Sequence, residues 1–137
     1  MEFHERYNDS YARCTRNPRF LTIFYEIFCS RNETFRLMFT NVDMTRQIKM
    51  LKASLIIIML ANTSREARQS VRKFGKLHGP EGLGVSPIDF DIWLDCLLSA
   101  VQICDPKYNE DVKQAWHACF SEGMKIMKEE CSIHANI

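Results

Sequence analysis

Long apolar runs, an excess of charge of one sign and closely spaced cysteine pairs are all missing from this sequence. The longest apolar stretch, residues 55–61, is far shorter than the roughly 20 residues that a membrane-spanning helix needs. The 18 Lys and Arg residues nearly balance the 17 Asp and Glu residues, so neither a nucleic acid nor an acidic membrane is an expected partner. Residues 1–5 lack the apolar segment of a secretory signal, and we therefore expect a cytoplasmic protein.

Cysteines are present, but no two of them have the spacing of a C-x-x-C motif. A zinc site or a redox-active cysteine pair is therefore poorly supported. Each cysteine falls in a segment with helical character, and we expect most of them to be small buried hydrophobic residues in a reducing compartment. The six are Cys14, Cys29, Cys96, Cys104, Cys119 and Cys131.

Capping residues, prolines and apolar periodicity divide the chain into a series of predicted helices. The predicted helices cover residues 5–16, 18–31, a short piece ending near Phe39, 44–61, 65–78, 87–104 and 110–131. The residues expected to cap their N-termini are Asn17 before Pro18, Asn32, Asp43, Ser64, Ser86 before Pro87, and Asn109. The β-branched run at 56–58 lies in a segment too long for a strand, so the predicted fold is all-α. Residues 79–84, with three of the five glycines, are predicted to form a loop, and residues 132–137 to fray.

The predicted helix over 65–78 has one apolar face that ends in a histidine. Val71, Phe74, Gly75 and His78 recur at helical spacing and therefore share that face. A lone histidine in such a place is commonly a core residue, but the glycine-rich segment after it could shape the edge of a pocket. The residues alone leave both interpretations open. The opposite face is interpreted as a solvated surface; it carries Arg65, Arg68, Arg72, Lys73 and Lys76.

Polar groups also lie on two other apolar helix faces. Gln47 precedes Leu51 by four residues, so the two side chains stack one turn apart. The Gln47 amide is then either exposed to solvent or directed at something polar inside a cavity. Tyr25 belongs to an aromatic cluster with Phe24 and Phe28, where its hydroxyl needs a hydrogen-bond partner.

Five segments taken in order resemble one known family. They are 24–28 (Phe-Tyr-Glu-Ile-Phe), 39–44 (Phe-Thr-Asn-Val-Asp-Met) followed by Gln47 and Leu51, 76–78 (Lys-Leu-His), 87–98 with Pro87, Phe90 and Trp93, and 115–116 (Ala-Trp). Each motif is loose by itself, but their order and spacing resemble the bacterial globins over about Ser10 to Met127, most closely the single-domain globins and the haem domain of flavohaemoglobins. The resemblance implies one globin domain over residues 1–137, with helices packed three on three around a haem pocket.

The resemblance also implies roles for individual residues. His78 matches the proximal histidine that binds the iron of haem b, a position that requires a neutral imidazole nitrogen. Phe39 matches the phenylalanine that packs on the porphyrin, and Phe74, on the same face as His78, is expected to line the cofactor too. The distal side would hold the remaining matches, which are Tyr25, Gln47 and Leu51.

The implied function is reversible binding of O2, NO or CO as a carrier, store or sensor, by a monomer or homodimer. One alternative is an NO dioxygenase that takes electrons from a separate reductase. Another is a globin-fold module without haem that acts in interaction or signalling. The chain departs from flavohaemoglobins in a longer 79–86 segment and at Phe90 and Phe120, where that family has tyrosines. Because Phe90 cannot donate a hydrogen bond, strong peroxidase-like or dioxygenase chemistry is disfavoured.

Overall fold

A computed structural model describes residues 3–78 and 85–135, with side chains described as far as residue 131. These residues form helices and no strand, which confirms the all-α prediction. The helices are α1 (Phe3–Thr15), α2 (Phe20–Arg31), α3 (Glu33–Met38), α4 (Met44–Leu60), α5 (Arg65–His78), α6 (Pro87–Cys104) and α7 (Glu110–Ala135). None of the described helices is long and apolar enough to cross a membrane.

Side-chain caps begin several helices where the sequence predicts them. The Asp43 carboxylate accepts hydrogen bonds from the backbone N–H groups of Thr45 and Arg46 at the start of α4. Asn109 accepts one from the Val112 N–H at 2.9 Å and opens α7 in the same way. Each cap satisfies a backbone donor that the first helical turn leaves unpaired, and these helix starts are confirmed.

Two predicted boundaries are wrong. The helix expected from Pro18 begins at Phe20, because the Asn17 carbonyl accepts from the Phe20 N–H at 3.1 Å and closes a turn that contains Pro18. Residues 132–135, expected to fray, extend α7 to Ala135. Just before them Cys131 is fully buried and its thiol donates to the Gly75 carbonyl, so α5 holds this end of α7 in place. The loop predicted over 79–84 lies outside the described residues.

Helix α7 runs through the centre of the packing and contacts α1, α4, α5 and α6. Its Trp116 is fully buried, with its ring centroid 4.7 Å from that of Tyr7 and 5.8 Å from that of Phe120. Four of the cysteines are fully buried and the other two are half-buried, so the prediction that most are small core residues is confirmed; the buried ones are Cys14, Cys96, Cys119 and Cys131.

Two glycines bring α4 and α5 close to α7. A Cβ added to Gly123 would lie 2.6 Å from Ile58 Cγ2 and 2.9 Å from the Ile58 carbonyl oxygen. A Cβ added to Gly75 would lie 2.8 Å from the Cβ of Glu130. Gly75 therefore marks the point where α5 packs closely on α7. Since α4 and α5 also contact each other, these crossings position the two helices that carry most of the predicted site residues.

A buried polar network connects α1 to the corner between α6 and α7. Asp105, only 2% exposed, accepts hydrogen bonds from Ser10 Oγ at 2.6 Å and from Arg13 Nε at 2.6 Å. Trp116 Nε1 donates to Ser10 Oγ at 2.9 Å and brings α7 into the same network. Burial acts to raise the pKa of Asp105, but the hydrogen bonds from Arg13, Ser10 and the Lys107 N–H outweigh it and lower this pKa. In the sequence, Asp105 is only the residue that follows the predicted helix over 87–104.

Candidate functional site

Tyr25 and Gln47 meet where α2 approaches α4. Gln47 Nε2 donates a hydrogen bond to the Tyr25 hydroxyl oxygen at 3.1 Å. Tyr25 is 6% exposed, while Gln47 is half-buried one turn into α4. The sequence allows the Gln47 amide to lie either in solvent or beside a polar group. In the structure it lies beside the Tyr25 hydroxyl.

The Tyr25 hydroxyl keeps its own hydrogen available. Burial raises the pKa of Tyr25 to about 12, and the hydrogen bond from Gln47 offsets this rise only in part. The phenol is therefore protonated at neutral pH. No acceptor for its hydrogen occurs among residues 3–78 and 85–131, so this buried O–H group can donate to a further molecule.

Leu51 and Phe39 border the Tyr25–Gln47 pair with apolar surface. Leu51 lies one turn beyond Gln47 on α4 and is 7% exposed. Phe39 caps the end of α3 and is half-buried; its ring centroid is 5.3 Å from that of Tyr25 and 6.3 Å from that of Phe28. Four of the six predicted site residues thus lie on or between α2 and α4.

His78 is the last residue of α5 and is held by its own helix. Its Nδ1 lies 2.6 Å from the carbonyl oxygen of Phe74, one turn earlier. Because a carbonyl oxygen only accepts hydrogen bonds, Nδ1 carries the hydrogen of this bond. In the neutral imidazole the lone pair is then on Nε2, the form of histidine that binds metals. The His78 carbonyl in turn accepts from the Val85 N–H at 2.6 Å, which brings the chain before α6 back to this residue.

An aromatic side chain of α6 lies beside His78. Phe90 of α6 is 5% exposed, and its ring centroid lies 6.0 Å from that of His78. Phe74 is half-buried and packs against the core. Among the described residues no three His, Cys, Asp or Glu side chains form a group that could hold a metal ion, so His78 is not part of a metal site built from three or more such side chains there.

The structure therefore presents the predicted site in two parts. Tyr25, Gln47, Leu51 and Phe39 form one part, and His78 with Phe74 forms the other, at the end of α5. No hydrogen bond or ring contact joins His78 to Tyr25 or Gln47 in the part of the chain that is described. The connection between the parts is the contact of α4 with α5.

Sequence reasoning missed a groove that opens beside Tyr25. It has a volume of about 480 Å³ and lies between α2, the end of α3 and the start of α4. Two predicted site residues, Tyr25 and Phe39, are among its walls; the others are Thr22, Glu26, Cys29, Arg36, Thr40, Met44 and Ile48. The helical spacing of Met44 and Ile48 with Leu51 was the available signal, but it equally fits ordinary core packing.

A comparison with known protein families identifies the class of protein that has this arrangement of helices. The globin family model matches residues 22–127, most of the chain, and the chain belongs to the globin family. The family typically binds haem, which supports a haem protein that binds gas as the general class.

A solved bacterial structure gives a closer comparison. It is protein PA3967 from Pseudomonas aeruginosa PAO1, described as structurally highly homologous to a human hemoglobin. The TM-score is 0.86 at 28% sequence identity, over 94% of this chain and 98% of the other. No curated protein matches the chain. The prediction of a bacterial globin is thus confirmed.

Proposed function

We propose that this chain, acting as one globin domain, holds haem b through His78 and reversibly binds a diatomic gas on the opposite side, beside Tyr25 and Gln47. The observation that carries the proposal is the hydrogen bond from His78 Nδ1 to the Phe74 carbonyl, which leaves Nε2 as the nitrogen of the neutral imidazole that can bind a metal. Haem bound here would supply an iron centre with affinity for O2, NO and CO.

The other predicted residues have chemistry that fits this cofactor and its ligand. The Tyr25 O–H group lacks an acceptor among the described residues and could donate to a gas molecule, and its bond with Gln47 holds it in position. One such hydrogen bond in a buried site contributes ~1–3 kcal/mol, or roughly tenfold to a hundredfold in affinity. Leu51 would limit the space beside the ligand, and Phe39 and Phe74 would provide apolar contact with the porphyrin.

Two features at His78 favour reversible binding over rapid turnover. Its Nδ1 donates to a neutral backbone carbonyl, and the nearest aromatic side chain, Phe90, has no polar atom. Neither partner makes the imidazole strongly electron-donating, as a carboxylate partner would. We therefore favour a gas carrier, store or sensor in the cytoplasm over an NO dioxygenase. Stopped-flow mixing of the oxygenated protein with NO under continuous reduction tests this choice, since repeated turnover would favour the enzyme.

Absorption spectra of the ferric, ferrous and CO-bound forms test the proposal as a whole. Wild-type protein supplied with haem should give a Soret band that shifts when CO is added. His78→Ala should lose this spectrum or alter it strongly, because the iron loses its protein ligand. His117→Ala is the matched control, since His117 is a half-buried histidine of α7, and it should match the wild type. A colourless wild-type protein would instead support a haem-free interaction module.

A further inference from the structure

The outward face of α5 carries charge of one sign. The helix buries Ala67, Val71 and Gly75, so its opposite side faces solvent. Five cations recur there at helical spacing, four of them exposed and one half-buried, whereas Glu66 is the only acidic residue of the helix. Together they form a basic surface roughly 16 Å long, the α5 basic face, which consists of Arg65, Arg68, Arg72, Lys73 and Lys76.

Most of these charges are not neutralised within the chain. Arg72 lies 4.0 Å from a carboxylate oxygen of Glu130 in α7, and Arg68 donates to the uncharged backbone carbonyl of Ala61 at 3.1 Å. The other three cations form no ion pair or hydrogen bond with another side chain in the described part of the chain; they are Arg65, Lys73 and Lys76. The α5 basic face is therefore an exposed concentration of positive charge that is available to a partner of opposite charge.

The sequence around α5 is basic as a whole. Residues 44–78, which include α4 and α5, contain eight of the 18 Lys and Arg residues but only one of the 17 Asp and Glu residues. The rest of the chain is acidic on balance, so the near-zero net charge hides a separation of charge. A field of this kind attracts a partner of opposite sign and orients it before contact.

The chemistry of the α5 basic face favours a protein partner over a membrane or a nucleic acid. Leu77, at the end of the helix, is 64% exposed and is the only large exposed apolar side chain of α5, so the helix has no second apolar face with which to enter a bilayer. A nucleic acid is charged along its whole length and would extend beyond the face onto the acidic remainder of the chain. A compact protein with a patch of carboxylates matches a basic surface of this size.

We propose that the α5 basic face is the docking surface for an electron-donor protein whose own surface is acidic. The inference rests on the proposed function, since the donor needs a haem iron to reduce. Helix α5 ends in His78, the proposed iron ligand, and Lys73 and Lys76 lie within its last two turns. A donor docked here would contact the helix that holds the iron. The donor, a flavin or iron–sulfur protein, gives one electron to the ferric iron, and no proton or chemical group is transferred.

Carbodiimide cross-linking tests the docking surface without any need for haem. The reagent joins a lysine amine to a carboxylate that touches it, and an acidic [2Fe–2S] ferredoxin serves as the probe. Peptide mass spectrometry should locate the cross-links at Lys73 or Lys76. Salt at about 1 M should abolish them, because it screens the attraction between the two surfaces.

Reduction kinetics of the haem-loaded protein give the second readout. In the double variant Lys73→Glu with Lys76→Glu, the second-order rate of reduction by the reduced ferredoxin should fall by about tenfold at low salt, because the two surfaces then repel each other. The matched control is Lys113→Glu with Lys125→Glu, which makes the same change of charge on α7 at two lysines without an ion pair in the described part of the chain. Its rate should stay within about twofold of the wild type. Dithionite, a small reductant, should reduce all three proteins at similar rates.

The outcomes separate this inference from the proposed function. Cross-links at α7 lysines instead of α5, or equal ferredoxin rates in the two double variants, would overturn the docking surface while leaving gas binding intact. A slower reaction of the α5 variant with dithionite as well would also overturn it, since the change would then lie at the haem. Wild-type protein that binds no haem would refute the proposed function, and with it the electron transfer.

Discussion

At Tyr25, burial and hydrogen bonding act on a single hydroxyl group. Burial holds the pKa near 12, and the Gln47 N–H occupies the oxygen while leaving the phenol hydrogen free. In the folded chain the Tyr25 phenol therefore keeps its proton as pH rises through 10, the ordinary pKa of tyrosine. In the unfolded chain the Tyr25 phenol loses its proton near pH 10. The contribution of Tyr25 to the stability of the fold therefore falls between pH 10 and about 12, and it is constant at neutral pH.

Removing the Tyr25 hydroxyl tests the residue directly. In Tyr25→Phe the bound O2 loses a donor, and its dissociation should accelerate by roughly tenfold to a hundredfold. Gln47→Leu should accelerate dissociation less, and the double variant should be less than additive because the two residues share a hydrogen bond. Tyr11→Phe, at a half-buried tyrosine of α1, is the control. Unchanged dissociation in Tyr25→Phe would remove the tyrosine from the proposed site.

At the scale of the helices, local chemistry was sufficient to predict most of the boundaries. Asp43 and Asn109 act on backbone N–H groups two or three residues away, so their effect can be predicted from the sequence. The start of α2 could not be predicted in this way, because Asn17 closes a turn instead of opening the helix.

The meeting of the site residues depends on helix packing. Tyr25 and Gln47 are 22 positions apart, and they touch because α2 contacts α4. No periodicity in the sequence gives that contact, and family resemblance alone suggested that the two residues act together. The groove was missed for the same reason, since its walls come from three separate segments.

The crossing of α4 and α7 at Gly123 should be sensitive to a single methyl group. In Gly123→Ala the new Cβ would meet the Ile58 carbonyl, a backbone atom that cannot move without shifting α4. We expect a loss of about 1–3 kcal/mol in the free energy of unfolding, although alanine itself favours a helix by up to about 1 kcal/mol. Urea denaturation measures the change. Ser121→Ala, an exposed substitution in the same helix, should stay within about 0.5 kcal/mol of the wild type, and an equally stable Gly123→Ala would contradict the close crossing.

For the whole molecule, the Asp105 network holds three parts of the chain together. Ser10 and Arg13 of α1 bind the same carboxylate, and Trp116 of α7 binds Ser10. Because these hydrogen bonds favour the ionised form, Asp105 stabilises the fold above the ordinary aspartate pKa, and this contribution is lost as pH falls through its lowered pKa.

Asp105→Asn should therefore destabilise the protein at neutral pH by about 3 kcal/mol, because it leaves Arg13 without its buried partner charge. Asp95→Asn removes an exposed ion pair with Arg31 and should cost less than about 1 kcal/mol. Urea denaturation across acidic pH should show the gap between wild type and Asp105→Asn narrowing as the wild-type carboxylate is protonated. A gap that is independent of pH would argue against an ionic role for Asp105.

The bond between His78 and the iron of a bound haem is the claim on which the functional account depends most. Resonance Raman spectroscopy of the ferrous, ligand-free protein detects an iron–histidine stretching band directly. We expect this band in the wild type and in His117→Ala, we expect it to shift when the histidines carry ¹⁵N, and we expect it to be absent from His78→Ala. An unchanged band in His78→Ala would show that another residue holds the iron.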